Sequence, residues 1–423
     1  MNGTQAIAGA LHICADTFYA VPGYPVTTLA DQLCAELCTS EKVALEYALG
    51  DSLAGRRSAV IVKNVGLNAC TDPLINATTQ GLLAGVVIIA GDDPRALGSQ
   101  NTEDSRYFGE IAQVPVLEPG AGTCAAAIEA AFEASERFSR IAIVRVTPPL
   151  LEHEVTGTSC TRHPGSGQLA DPGLTMQGRA QAAEILTREM FAWSRSSSLN
   201  QLRGGTVAAG AAEGNSPVVT VYPPPADAAV LEPVKEIGRP FLYEHRHLTP
   251  PSPAGTPETF SQRGFYRTFC RDCPFRPLFA ILRDRKMQVI ADIGCSTLAL
   301  NPPYRIGRAC YALGSSVAVA ARSTGVALIG DYALLHSGIN GLFDVYEKGL
   351  PLLCIVLVNE KMGMTGGQPA IDPVRFLGWA EPVVCDAGDT ATLENELVQR
   401  KEPHVLVVKG VCNRGCCYET VEC

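Results

Sequence analysis

The stretch Gly330–Gln368, GDYALLHSGINGLFDVYEKGLPLLCIVLVNEKMGMTGGQ, decides the fold. Gly330 and Asp331 follow the apolar run Val326–Ile329, which reads as a buried strand ending at a turn. Asn359 follows a second apolar run, Leu352–Val358. Two buried parallel strands joined through a helix place their carboxyl ends side by side, and open α/β sheets bind ligands there. Asp331 and Asn359 stand 28 residues apart. A carboxylate and an amide oxygen are hard ligands suited to Mg²⁺ holding a phosphate, and the backbone carbonyl of Lys361 would complete the protein's share. Taken singly, Gly-Asp and Val-Asn are also ordinary turns after strands.

Working outward, residues 260–423 continue in α/β character. Strands are expected at Gln288–Asp292, Ala309–Leu313, Val326–Ile329, Leu352–Val358 and His404–Val408, with helices between them. Gly294, Gly314, Ser315 and Gly330 lie at expected strand ends, where backbone N–H groups could approach a diphosphate. Residues 1–155 alternate in the same way. A helix over Thr4–Ile13 precedes strands at Thr17–Val21, Ser58–Lys63, Val86–Ala90 and Ile141–Val146, and a helix begins after the N-cap Ser40. Between them, residues 156–259 are rich in Gly, Pro, Ser and Ala, with a helix expected over Met176–Trp193 and a strand over Val218–Tyr222. The expected division is therefore an α/β domain over 1–155, a reduced middle region and linker over 156–259, and a second doubly wound α/β domain with a Cys-rich tail over 260–423.

The chain has 423 residues, enough for two or three domains with proper cores. A formal charge of −9 argues against nucleic acid as a partner. With no apolar run approaching about 20 residues and no secretory leader pattern, the expectation is a cytoplasmic chain with no membrane attachment. Sixteen cysteines are many for such a chain, and they point to metal or redox chemistry before a disulfide framework. Cys14, Cys34, Cys70, Cys124 and Cys354 sit among apolar neighbours and read as small core residues. Cys270 and Cys273 form a CxxC followed by Pro274; alone, that pair fits a zinc site or unligated thiols equally well.

The Gly-Asp, gap and Asn of the deciding stretch resemble the diphosphate motif of thiamine-diphosphate enzymes. More of the chain carries a narrower resemblance. The segments EKVALEYALGDSLAG, VKNVGLNACTDPL, GDDPRALGSQNTEDSRYF, CRDCPFRPLFAIL, DIGCSTLALNPP and MGMTGGQP resemble, in order, the large subunit of indolepyruvate–ferredoxin oxidoreductase. That resemblance implies two thiamine-diphosphate-binding-type domains, one for the pyrimidine and one for the diphosphate. It implies oxidative decarboxylation of a 2-oxoacid, of aryl pyruvate type, in an anaerobic setting. A smaller partner subunit in a hetero-oligomer, ferredoxin as electron acceptor and coenzyme A as acyl acceptor come with it.

Residue by residue, the resemblance assigns Glu41 to the glutamate that hydrogen-bonds N1′ of the aminopyrimidine, with Glu46 as the fallback. On its own Glu41 is simply an acid in the first turn of a helix, where the dipole favours it. Asp331, Asn359 and Lys361 become the Mg²⁺ ligands, and Met364 joins the cofactor-binding loop. Cys270, Cys273, Cys295 and Cys412 take the four places that hold a [4Fe–4S] cluster in the wider superfamily, and four thiolates suit such a cluster. His336, just past Gly-Asp, is a candidate base, although a His near a strand end is more often a structural hydrogen-bonder.

The sequence departs from the family pattern in several places. Asn64 stands where the family has His, and Pro274-Phe275-Arg276 replaces Pro-His-Arg, so the substrate pocket differs. The middle domain is cut down, and the family's carboxyl-terminal module with two CxxCxxCxxxCP motifs is not in this sequence. Cys416, Cys417 and Cys423 have no recognisable spacing. Two alternatives stay open: a non-oxidative decarboxylase of the sulfopyruvate or phosphonopyruvate kind, and a catalytically silent partner subunit that keeps the fold.

Overall fold

The computed structural model describes residues 1–156, 159–199, 202–203, 206–207, 218–221, 255–412 and 418–423. The chain divides into two compact units, one of residues 1–170 and 176–257, the other of residues 171–175 and 258–423. Much of the expected middle region, together with Cys416 and Cys417, lies outside the described residues.

In the first unit, six parallel strands lie in the spatial order Glu36–Leu37, Thr17–Val21, Ser58–Lys63, Val86–Gly91, Ala142–Val146, Pro115–Glu118. Val218–Val221 adds an antiparallel edge strand beside Pro115–Glu118. Val86, Val87, Ile88 and Ile89 are fully buried, as expected of a parallel strand covered on both faces. Met176–Ser196 is one long helix that docks on this unit: Phe138 meets Trp193 edge-on at 5.5 Å. Buried Arg140 donates to the carbonyls of Gln113 and Ala183 and to Thr187 Oγ1, which ties that helix to the sheet.

The second unit repeats the winding. Its parallel strands lie in the order Gly307–Ala309, Val289–Ala291, Val326–Gly330, Leu352–Val358, Pro403–Lys409, Val383–Asp386. Numbered along the chain, both sheets read 2-1-3-4-6-5, so both reverse direction between their first and third strands. In the second unit that switch point falls between the carboxyl ends of Val289–Ala291 and Val326–Gly330, the place where doubly wound sheets accept ligands.

The expected strand at Ala309–Leu313 is instead Gly307–Ala309. Residues 311–313 leave the sheet because the next turn closes on itself, with Ser315 Oγ bonded to both the amide and the carbonyl of Ala312. The tail adds one unforeseen element, the strand Tyr418–Glu422, paired antiparallel with Phe265–Cys270.

Candidate functional site

Asp331 opens a helix directly at the end of Val326–Gly330, and Asn359 leaves the neighbouring strand beside it. The Asp331 side chain is buried. Its Oδ1 accepts the Tyr332 amide at 2.7 Å and its Oδ2 accepts the Asn359 amide at 3.2 Å. Asn359 Oδ1 in turn accepts the Lys361 amide at 3.3 Å. Burial pushes the Asp331 carboxyl above its ordinary range, the amides of Tyr332, Asn359 and Glu360 oppose that, and the Asp372 charge adds to the rise. The carboxylate is thus held by neutral donors, the situation a divalent cation would relieve. The donor set, two side-chain oxygens and a nearby carbonyl, fits Mg²⁺.

A second buried aspartate supports the same edge. Asp292 ends the strand Val289–Ala291 and is fully buried. Its Oδ1 accepts the amides of Gly314 (2.8 Å) and Ile293 (2.9 Å), and its Oδ2 accepts that of Ser316 (3.0 Å). Asp292 therefore fixes the turn through Gly314 and Ser315. Gly314 has φ +84, and a Cβ there would stand 2.3 Å from Ser337 Oγ, so only glycine fits. Asp292 follows Val289-Ile290-Ala291 as Asp331 follows Val326–Gly330, and that shared syntax was the signal by which it could have been found.

A cavity of ≈ 290 Å³ opens at these strand ends. Cys270, Cys273, Cys295 and Cys412 line it together with Asp331 and Asn359. Gly294, Gly330, Lys361 and Met364 also line it. Gly294 has φ +123, and a Cβ at Gly294 or Gly330 would meet nothing within 4 Å, so both glycines leave open space where a ligand would sit. Most of the remaining lining is apolar, including Phe275, Leu298, Leu357 and Met362.

The four thiols reach this cavity from distant parts of the unit. Cys295 begins a short 3₁₀ helix after Gly294, and its sulfur lies 3.5 Å from the Cβ position of Gly363, on the loop that carries Asn359. Cys270 ends the strand Phe265–Cys270, and its carbonyl accepts from the Cys273 amide at 3.1 Å and from Arg276 Nε at 2.9 Å. Arg276 also pairs with Glu419 at 2.7 Å, which ties the carboxyl-terminal strand to the CxxC turn. The Cys273 thiol is pushed up to about 11 by burial, with smaller contributions from Cys270 and Cys412. Among the described residues, no three of these sulfurs lie within 4.8 Å of one another.

Not every expected residue meets the cavity. Gly314 and Ser315 stand behind it, in the turn held by Asp292. His336 is exposed, in a π-helical turn, with its ring 5.9 Å from Tyr332 and Nδ1 3.3 Å from Ser337 Oγ.

In the first unit, Glu41 follows the N-cap Ser40, whose Oγ accepts the Val43 amide at 3.3 Å. The Glu41 carboxylate packs over Gly66, where a Cβ would come within 2.7 Å of Oε1. Glu46 is buried and held by Lys42 at 2.8 Å, whereas Glu41 has no ion pair among the described residues. That contrast separates the two candidates. Asn64 is fully buried at the end of Ser58–Lys63, donating to the Asn101 carbonyl and accepting from the Val65 amide. Its amide is spent on holding the loop that follows Val86–Gly91.

Twin 2-1-3-4-6-5 sheets, one ending in an Asp–Asn pair, define a thiamine-diphosphate-enzyme type of architecture. Residues 280–378 match the family described as thiamine pyrophosphate enzyme, C-terminal TPP binding domain. The fold is that of the Rhodococcus jostii RHA1 thiamine diphosphate-dependent 4-hydroxybenzoylformate decarboxylase, with TM-score 0.58 at 14% identity over 98% of this chain and 100% of that one.

More particularly, the chain resembles the indolepyruvate oxidoreductase subunit IorA. The Archaeoglobus fulgidus subunit is 26% identical over 475 residues, covering 87% of this chain and 75% of that protein. The Pyrococcus horikoshii subunit is 25% identical over 503 residues, with the same coverage of each. Among the described residues, no helix is long and apolar enough to cross a membrane.

Proposed function

We propose that this chain is the thiamine-diphosphate-binding subunit of a 2-oxoacid oxidoreductase, passing electrons from an aryl-pyruvate-type substrate through a [4Fe–4S] cluster to ferredoxin. Coenzyme A would take the acyl group, and a smaller second subunit would complete the enzyme in the cytoplasm. The observation that carries this reading is the convergence of four thiols and the Asp331–Asn359 pair on one cavity. The functional division we propose is 1–155 for the pyrimidine end, 260–423 for the diphosphate end, and 156–259 as connecting region.

Bound thiamine diphosphate supplies the carbon nucleophile and electron sink for cleaving the bond between the keto carbon and the carboxylate. The residues have separate tasks around it. Asp331, Asn359 and the Lys361 carbonyl hold Mg²⁺ at the diphosphate, while Asp292 keeps the Gly314–Ser315 turn in place. Glu41 holds a proton at N1′ of the pyrimidine. The four cysteines hold the cluster, and their convergence on one cavity and the thiolate chemistry of such clusters support that assignment. The mostly apolar lining lowers the local dielectric, which strengthens the fixed charges inside the cavity. His336 lies outside the lining, so a role as base would be exercised from the solvent side.

The test is anaerobic reduction of a one-electron dye by 2-oxoacids, with the partner subunit, coenzyme A and thiamine diphosphate present. Dye reduction that requires all of them supports the reading. Release of carbon dioxide without dye reduction would transfer the chain to the non-oxidative decarboxylases. Binding of thiamine diphosphate with neither outcome would leave the silent-subunit alternative.

A further inference from the structure

Two cysteines that the proposed reaction does not use stand in direct contact. Cys14 is the last residue of the helix Gly3–Cys14 and is buried in the apolar core of the first unit. Cys160 approaches from an extended stretch 146 residues later and packs against the same core, half-buried. Their sulfurs are 3.1 Å apart. A disulfide bond of about 2.0 Å needs a further approach of only about 1 Å.

The segment carrying Cys160 is pinned immediately beyond it. The Thr161 amide donates to Glu129 Oε2 at 3.0 Å. Arg162 grips Asp16, two residues past Cys14, with contacts of 2.6 and 2.9 Å. The His163 carbonyl accepts Arg57 Nη2 at 2.7 Å, and buried Arg57 is itself held by Glu136. Little freedom is left for Cys160 to lose on bonding to Cys14, which makes the closure effectively intramolecular.

We propose that Cys14 and Cys160 form a thiol–disulfide site that closes when the chain meets a low-molecular-weight disulfide, stapling the segment around Cys160 to the helix Gly3–Cys14. The exposed side of the pair reacts first. The Cys160 thiolate attacks the small disulfide, displacing one thiolate and forming a mixed disulfide. Cys14 then attacks the Cys160 sulfur and displaces the second small thiolate. The protein gives up two electrons and two protons, and the two released small thiols carry both. Burial raises both thiols, Cys160 to about 12, so thiolate is scarce at neutral pH and the exchange is slow there.

The experiment incubates the full-length reduced chain with oxidised glutathione, quenches with acid, alkylates the remaining thiols and maps the peptides by mass spectrometry. The expected result is a Cys14–Cys160 cross-linked peptide, with both residues lost from the alkylated pool. One pH unit upward should speed its appearance roughly tenfold, in step with the thiolate fraction. Cys14→Ser should leave Cys160 as a stable glutathione mixed disulfide, because the resolving sulfur is gone. The proposal is overturned if both residues stay fully alkylated while Cys34, which the structure exposes although its apolar neighbours suggest a core position, has reacted. It is equally overturned if the wild-type chain keeps Cys160 as the mixed disulfide; this result needs no variant to fold.

Discussion

The backbone amide of Asn359 donates to the carboxylate of Asp331 at 3.2 Å, joining two residues that are 28 positions apart across neighbouring strand ends. This bond fixes the spacing of two oxygen ligands before any cation arrives. It also explains why the pair must sit at the ends of paired parallel strands, since Gly330 lies opposite Leu357 in the ladder.

Removing the carboxylate should remove the cofactor. Asp331→Ala is expected to weaken Mg²⁺-dependent binding of thiamine diphosphate by about 10–100-fold or more, in line with losses at supported metal sites. Calorimetric titration of the full chain reads this directly. Unchanged binding would move the diphosphate away from these strand ends.

The pH dependence of the apo chain follows from the same group. Burial raises the folded-state value of Asp331 above the ordinary 3.8, so folding disfavours its charged form. Its penalty is absent below 3.8 and grows as pH rises through the raised value. Asp331→Asn should therefore stabilise the apo chain increasingly with pH over that window, as read by thermal unfolding in metal-free buffer. Mg²⁺ and thiamine diphosphate together should reverse the advantage.

Glu41→Gln is expected to keep cofactor affinity and to lower turnover by roughly 10²–10⁴-fold, the usual share of a positioned acid–base group. Glu46→Gln should act differently. It removes the nearer of the two carboxylates that hold Lys42, leaving only Asp72 at 3.4 Å, and should lower stability before it lowers turnover. Unfolding curves and steady-state rates on both variants separate the two roles.

Gly314→Ala tests the turn behind the site. A methyl group would collide with Ser337 Oγ and with the Gly338 amide, at a residue whose φ is +84. A loss of roughly 1–3 kcal/mol is expected from the backbone conformation alone, before the clash is counted. A variant with wild-type stability would show that the turn can move.

Much of this was legible because apolar runs mark buried strands. Val326–Ile329 and Leu352–Val358 placed Asp331 and Asn359 without help from anything distant. Asp292 is legible as the end of the expected strand Gln288–Asp292, but that its carboxylate binds three backbone amides needed coordinates. The strand Tyr418–Glu422 was not legible either: its five residues alternate weakly in exposure, and its partner, Phe265–Cys270, lies about 150 positions earlier. The convergence of Cys270, Cys295 and Cys412 on one cavity is likewise a product of topology, visible in sequence only through resemblance. Asn64 was singled out as a departure, yet its role in holding the Asn101 loop needed coordinates.

The most direct test of the central claim is the iron content and visible spectrum of the chain purified without oxygen. A brown protein with about four iron atoms per chain is expected, and Cys295→Ser should lose both iron and colour. A colourless, iron-free wild-type chain that still decarboxylates a 2-oxoacid would contradict the oxidoreductase assignment.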